Sequence, residues 1–309
     1  MNRKDKVILG INHQFIHLQA IQDASHHRTS LASLIQDDRF DALDCWIWAS
    51  EPWRSEEIRL FRDSNKIVNY NIGDRFGERV SCFASLISSE QQYAWDTFRR
   101  EADMAIAVGA KKIVIGSGPD NTQNRPAAMT AFGDFIRKAC DYLPQSITLN
   151  IEPTDRDMDK YFLFGPLDES AEFVMNLRAQ GVTNLAILLD MGHIPLLHEQ
   201  ISTAISKVAA CLGHIHLGNC IVSNRQHPLF GDKHVAWGEQ DGVYQESDVA
   251  LFLADLMKTS YLKGTDRQTI TFEMRPFSGQ SAAASMSRFI EIFDQAWESI
   301  QDQYPDTSF

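Results

Sequence analysis

Four short apolar runs in the second half of the chain each end near a side chain that can bind a metal. Glu152, Asp190, His216 and Glu273 occupy these positions. Three carboxylates that are brought close together repel one another strongly unless a cation lies between them. Three oxygen ligands and one imidazole suit Mn2+, the ion we expect, with Mg2+, Co2+ and Zn2+ as alternatives. Such a set leaves positions open for the oxygens of a substrate.

Each of these residues also has an ordinary interpretation when it is taken alone. A glutamate at the end of a strand is often a salt-bridged rim residue, Asp190 could cap the following turn, and His216 could be a satisfied core histidine. The occurrence of all four at the ends of successive strands favours the metal site. His214 should lie one layer deeper than His216, as a packed residue or one that supports a ligand.

The elements that must bring these residues together alternate between strand and helix along the whole chain. Strand-like runs followed by longer helical patterns occur eight times, with no Pro/Gly/Ser-rich linker between them. This order predicts a single (β/α)8 TIM barrel over residues 1–309, whose strand ends converge on one mouth. The expected strands are residues 7–11, 42–48, 66–70, 112–115, 146–151, 185–189, 214–217 and 268–272. The expected helices are residues 29–36, 52–63, 89–108, 127–142, 170–179, 199–211, 247–259 and 280–301.

Two of the connections are longer than barrel loops usually are. They cover residues 71–88 and 220–246, and both follow strands. Both therefore belong to the C-terminal face, where barrel enzymes keep their sites. Long loops in a compact domain are often binding lids.

Composition restricts the partners and the compartment. The chain has 41 acidic and 29 basic residues and a formal net charge of -12, which argues against duplex DNA or an anionic membrane as the main partner. No stretch approaches the roughly 20 apolar residues that a membrane span needs. The five cysteines are odd in number and form no CxxC pair, which fits a reducing compartment. We expect a cytoplasmic protein.

The motifs around the four residues carry a family resemblance. Ile151-Glu152-Pro153, Asp190-Met191-Gly192-His193, His214-Ile215-His216 and Phe272-Glu273 resemble the xylose isomerase-like barrel superfamily. That superfamily includes sugar isomerases, ketose 3-epimerases, inosose dehydratases and the endonuclease IV type of DNA repair enzyme. The resemblance covers essentially the whole chain in element order.

The resemblance implies a reaction and an assembly. It implies a single metal held by Glu152, Asp190, His216 and Glu273, with Glu152 and Glu273 also acting as acid and base in the epimerase branch. The expected reaction removes a proton next to a sugar carbonyl through a metal-stabilised enediolate. Members are often dimers or tetramers, so a homo-oligomer is expected, with a small sugar or polyol as the substrate.

Two departures from the family patterns limit the specificity that can be inferred. Ketose 3-epimerases carry a second glutamate after the fifth strand, where this chain keeps Arg156 but has Met158. Asp232 and His234 resemble the endonuclease IV motif that binds an extra zinc, but the third and fourth strands end without the histidines which that site needs. We therefore expect Asp232 and His234 to contact substrate or a second metal, and we expect no nucleic acid partner.

Three further residues are candidates for substrate contacts. His193 follows Asp190 across a tight turn and should point to a substrate oxygen. Arg275 could bind a substrate carboxylate or phosphate, or pair with the barrel carboxylates. His13 follows the first strand and could line the mouth.

The expected activity is that of a metal-dependent sugar isomerase or epimerase. A lyase or dehydratase on a keto-polyol or keto-glycoside, using the same metal, is the main alternative. Endonuclease IV-like DNA repair and a non-catalytic binding protein are more remote.

Overall fold

The parallel strands pair in chain order, and the last pairs with the first, which closes the sheet into a barrel. The computed structural model describes residues 2–73 and 82–301. The eight described strands are β1 (Val7–Asn12), β2 (Ala42–Cys45), β3 (Ile67–Asn71), β4 (Lys112–Ile115), β5 (Thr148–Ile151), β6 (Leu185–Asp190), β7 (Leu212–Leu217) and β8 (Gln268–Phe272). Closure is made by register pairs that run from Val7 with Gln268 to Ile11 with Phe272. The (β/α)8 barrel expected from the sequence is thereby confirmed.

Helices lie between the strands. Those in the described ranges are α1 (His13–Ile16), α2 (Ala24–Ile35), α3 (Trp53–Arg62), α4 (Ser88–Ala107), α5 (Arg125–Tyr142), α6 (Leu167–Ala179), α7 (Ile201–Val208), α8 (Asp248–Leu256), α9 (Ser260–Lys263) and α10 (Ala282–Gln301). Short 3-10 turns cover Arg3–Asp5, Leu18–Ile21 and Met191–His193. No helix among these residues is long and apolar enough to cross a bilayer.

Several element bounds differ from the expected ones for local reasons. Helix α2 begins at Ala24 rather than at residue 29, because the Asp23 carboxylate caps it by accepting from the amides of Ser25 and His26. The helix expected over 247–259 is divided into α8 and α9, since Thr259 caps a new helix. Part of the expected lid, residues 74–81, lies outside the described residues.

The barrel lumen is polar, whereas the layer between strands and helices is apolar. Asp44 on β2 lies 2.8 Å from His216 on β7, a contact that only side chains crossing the lumen can make, because β2 and β7 are not neighbours in the sheet. On the outer side, the ring of Phe272 packs against Phe40, which lies two residues before β2, and against Phe289 of α10. The polar interior thus connects the strands to one another beneath the mouth.

A β-bulge in β7 sets which side chains face the lumen. Ile187 pairs with Leu212 but Leu188 pairs with His214, so Gly213 is the extra residue. A one-residue shift exchanges the two faces of a strand. The bulge therefore turns His214 and His216 inward while Leu212 stays level with the outward-facing Ile187.

We expect Gly213→Ala to lower the free energy of unfolding by about 1–3 kcal/mol, because an added methyl group overpacks the lumen. A Cβ at this position would overlap the Cβ of Ala186 and lie 2.5 Å from Asn150 Oδ1. Urea unfolding followed by circular dichroism measures the change. The matched control is Gly264→Ala, where the nearest atom lies at 3.6 Å and φ is -60°. A Gly213→Ala protein as stable as this control would contradict the prediction.

Candidate metal centre

The four side chains singled out in the sequence meet at the mouth of the barrel. One ligand atom each from Glu152, Asp190, His216 and Glu273 lies within 4.8 Å of every other. Glu152 and Glu273 directly follow β5 and β8, Asp190 ends β6, and His216 lies near the end of β7. Parallel strands of a closed barrel present their carboxyl ends at one face, which is why four positions far apart in sequence converge.

Two carboxylate oxygens in this cluster accept no hydrogen bond from the described residues. Glu152 Oε1 and Asp190 Oδ2 are buried, with His193 Nδ1 at 3.5 Å from the first and His234 Nδ1 at 3.6 Å from the second. Asp190 Oδ1, by contrast, accepts from the Gly192 amide at 2.6 Å, which holds the carboxylate in place. A buried acceptor without a partner is costly. The two orphaned oxygens, together with the imidazole and the third carboxylate, fit the ligand needs of a divalent cation.

Both carboxylate oxygens of Glu273 contact neighbouring side chains. Its Oε2 lies 2.6 Å from Nδ1 of His216, and its Oε1 accepts from the Asn12 amide group at 2.6 Å. The sequence reasoning missed Asn12. The signal was available, since Asn12 ends β1 and so belongs to the same rim as the other strand ends.

A second missed residue lies below the cluster. Asp44 has no exposed surface, and its Oδ2 lies 2.7 Å from His214 Nε2 and 2.8 Å from His216 Nε2. The sequence did offer a signal for it, because Asp44 is the charged residue in the otherwise apolar strand Ala42–Cys45. His214 lies one layer deeper than His216, as the strand alternation indicates.

The expected substrate contacts Asp232, His193 and His234 form a second cluster beside the first. Asp232 Oδ1 lies 3.0 Å from His193 Nε2 and 2.8 Å from His234 Nε2, and Asp232 Oδ2 lies 3.2 Å from Lys160 Nζ. Asp190, His193 and His234 are also close enough to share one cation. The two clusters are therefore continuous through Asp190.

The loop that carries Asp232 is tied to the loop after β5. Asp159 Oδ2 accepts from the Asp232 amide at 2.9 Å and from Lys233 Nζ at 3.1 Å. Gly231 has φ +83°, and a Cβ there would lie 2.5 Å from the Asp159 carboxyl carbon. This close approach requires glycine.

Burial and neighbouring charges shift the titration of the site. Burial, reinforced by Asp190 and Asp232, raises the pKa of Glu152 despite the opposing effect of His193 and His216. Burial alone would lower the pKa of His216, but Glu273 and Asp44 raise it well above its usual value. Both shifts favour the uptake of protons by the site, which a bound divalent cation would oppose.

The remaining three candidates have other partners. Arg156 forms a two-pronged ion pair with Glu169 at 2.7 and 3.1 Å. His13 has no exposed surface, and its Nε2 lies 2.8 Å from Ser30 Oγ. The guanidinium of Arg275 is half-buried and donates from Nε to the Lys233 carbonyl; within the described residues it has no carboxylate partner. The alternative of an ion pair with the barrel carboxylates is therefore not found for Arg275.

A family model described as a xylose isomerase-like TIM barrel matches residues 40–277. No curated protein sequence matches the chain significantly.

Solved structures share the fold at low sequence identity. A D-tagatose 3-epimerase-like protein is 15% identical with a TM-score of 0.67, and the match covers 94% of this chain and 99% of that one. The 3-keto-D-glucoside 4-epimerase of E. coli is 13% identical with a TM-score of 0.65, covering 93% and 99%. An AP endonuclease, family 2, from Brucella melitensis is 16% identical with a TM-score of 0.65, covering 93% and 98%. These likenesses concern the fold.

We expect the metal-stripped protein to bind Mn2+ and Asp190→Asn to bind it at least about tenfold more weakly, because the amide removes the negative charge beside the orphaned oxygen. Isothermal titration calorimetry gives affinity and stoichiometry. Asp157→Asn is the matched control, since Asp157 is exposed and pairs only with the exposed His198 within the described residues. Equal affinity in the two variants, or no binding by the wild type, would contradict the assignment.

Proposed function

Because the chain belongs to the xylose isomerase-like TIM barrel family, we propose that it is a divalent-metal-dependent isomerase or epimerase of a sugar or sugar derivative. The observation that carries the proposal is the cluster of Glu152, Asp190, His216 and Glu273, in which two buried carboxylate oxygens accept no hydrogen bond from any residue that the structure describes. The occurrence of sugar epimerases among the structurally similar proteins agrees with it.

The four clustered residues would hold the cation, for which Mn2+ suits a set of three carboxylates and one imidazole. A bound divalent cation supplies positive charge where negative charge develops on neighbouring substrate oxygens. The protein's part is to fix the ligands. Asn12 fixes Glu273, the Gly192 amide fixes Asp190, and Asp44 contacts His216 from below.

Glu152 and Glu273 are suited to move the proton. They follow β5 and β8 and so approach a substrate in the mouth from different sides. A carboxylate on one side removes the proton next to the carbonyl, and the acid on the other side returns one to the opposite face of the carbon. The pKa of Glu152, raised first by burial, brings its proton affinity closer to neutral pH.

The second cluster provides the contacts for substrate hydroxyl groups. His193 and His234 converge on Asp232, and all three are nearly closed off from solvent. Arg275, half-buried next to this loop, uses Nε on the Lys233 carbonyl and would offer its terminal NH2 groups to a more distant part of the substrate. Arg156 and His13 act through the structure they support, because Glu169 and Ser30 engage their polar atoms.

A lyase is the second candidate, and His234 is the observation that favours it. Burial lowers the pKa of His234, but Asp232 and Glu273 together raise it to about 9. It would therefore hold a proton at neutral pH, which a leaving hydroxyl or glycosidic oxygen could accept.

We expect Mn2+-loaded protein in D2O to incorporate deuterium into its substrate at the carbon next to the carbonyl. The probes are a panel of ketohexoses and 3-keto-glucosides, followed by NMR and mass spectrometry. Glu152→Gln and Glu273→Gln should each lower turnover by about 10²–10⁴-fold, since each removes one proton-transfer group.

The matched control for these variants is Glu172→Gln, an exposed carboxylate on α6, which should retain wild-type turnover. Epimerised product containing solvent deuterium supports the isomerase proposal, whereas loss of water or of the aglycone selects the lyase. Unchanged turnover in both glutamate variants would rule out the proton-transfer roles.

A further inference from the structure

Asp44 contacts two histidines at once in the barrel lumen. Its Oδ2 lies 2.7 Å from Nε2 of His214 and 2.8 Å from Nε2 of His216. All three side chains have no exposed surface. Their geometry is therefore set by one another and by the strands, without competition from bulk water.

The other oxygen of Asp44 is occupied by donors. Asn69 Nδ2 donates to Oδ1 at 2.8 Å, and the Thr271 hydroxyl donates to it at 2.7 Å. An ionised carboxylate only accepts hydrogen bonds, and four donors fill its capacity. Both imidazoles must therefore present an N–H from Nε2 to Asp44.

Lys112, at the base of the lumen, favours the same position for the ring proton of His214. Its Nζ lies 3.4 Å from His214 Nδ1 and also contacts the Thr269 hydroxyl. That hydroxyl in turn lies 2.9 Å from His214 Nδ1. A lysine ammonium only donates, so His214 Nδ1 accepts. The remaining ring proton of His214 then belongs on Nε2, the nitrogen that faces Asp44.

We propose that Asp44 is a positioning residue that holds the ring proton of His216 on Nε2 and so leaves Nδ1 free to bind a metal held by the carboxylate cluster. The inference rests on the proposed function, because it concerns a proposed ligand of the metal centre. His216 Nδ1 faces that cluster, 2.6 Å from Glu273 Oε2 and 4.0 Å from Glu152 Oε1. Partners on the far nitrogen of a ligating histidine commonly orient the ring and fix its tautomer.

An asparagine at position 44 would exchange the donor and acceptor roles between this residue and the two imidazoles, with almost no change in side-chain volume. Asn69 and Thr271 donate toward one oxygen and would keep the carbonyl of an introduced asparagine on their side. Its NH2 group would then point at the two imidazoles, whose Nε2 atoms would have to accept. The proton of neutral His216 would move to Nδ1, where it blocks a metal.

The test compares Asp44→Asn with the wild type and with Glu57→Gln, using metal-stripped full-length chain and Co2+ as the probe. Glu57 is a matched control because it is also a fully buried carboxylate, and it accepts from the Trp48 amide at 2.7 Å. Calorimetry gives the affinity. We expect Asp44→Asn to bind Co2+ about 10–100-fold more weakly and Glu57→Gln to match the wild type.

A proton NMR spectrum of the Co2+-loaded chains gives a readout that general destabilisation would not mimic. The Nε2–H of His216 should appear as a strongly shifted signal that exchanges slowly with solvent, since Asp44 holds it. Asp44→Asn should lose this signal, whereas Glu57→Gln should keep it. Unchanged affinity together with a retained signal in Asp44→Asn would overturn the inference and leave the proposed function intact.

Two further outcomes are decisive. If the wild type itself binds no Co2+, the proposed metal centre fails and the inference fails with it, before any variant is compared. If Asp44→Asn does not fold by circular dichroism, Thr271→Val replaces it, because it removes only one donor to Asp44 Oδ1. We expect a smaller loss of affinity, under about tenfold, and faster exchange of the signal; no change in either would overturn the inference.

Discussion

Repulsion among buried carboxylates is the constraint on which the mouth of this barrel depends. Glu152, Asp190 and Glu273 present oxygens within 4.8 Å of one another, and charges in a poorly solvated site interact far more strongly than in water. A proton or an opposite charge must therefore offset this repulsion. The raised pKa values of Glu152 and His216 indicate proton uptake by the chain alone, and a divalent cation would offset the repulsion in the proposed active form.

The second cluster extends the same balance to the loops. Asp232 faces His193, His234 and Lys160, and the pKa of the Asp232 carboxyl, which burial alone would raise, is lowered well below its usual value by these neighbours. Asp159 then joins the loop after β5 to the loop after β7. The loop after β5 and the loop after β7 are therefore held together beside the carboxylate cluster by Lys160, Asp159 and Asp232.

The sequence predicted the fold and the convergence of the four central side chains because each of those signals is local. An apolar run followed by a carboxylate or an imidazole can be recognised without knowing what lies opposite. Asp44 could not be assigned in this way, since its partners His214 and His216 are about 170 positions away and meet it only across the lumen. Arg156 illustrates the same limit, since its motif predicts a substrate contact and the sequence does not reveal the ion pair with Glu169 in the next helix.

The contact of Lys112 with His214 at the base of the lumen has a consequence for redesign. Barrel enzymes are commonly altered by exchanging the loops at the C-terminal face, on the assumption that the strands below form a neutral scaffold. Here the orientation of a rim histidine would be inherited from Asp44 and from Lys112, which begins β4 at the opposite end of the strands. Transplanting the loops and strand ends of this protein onto another barrel would transfer the rim side chains without the lumen residues whose hydrogen bonds orient them. The lumen residues of this protein would have to be transplanted as well.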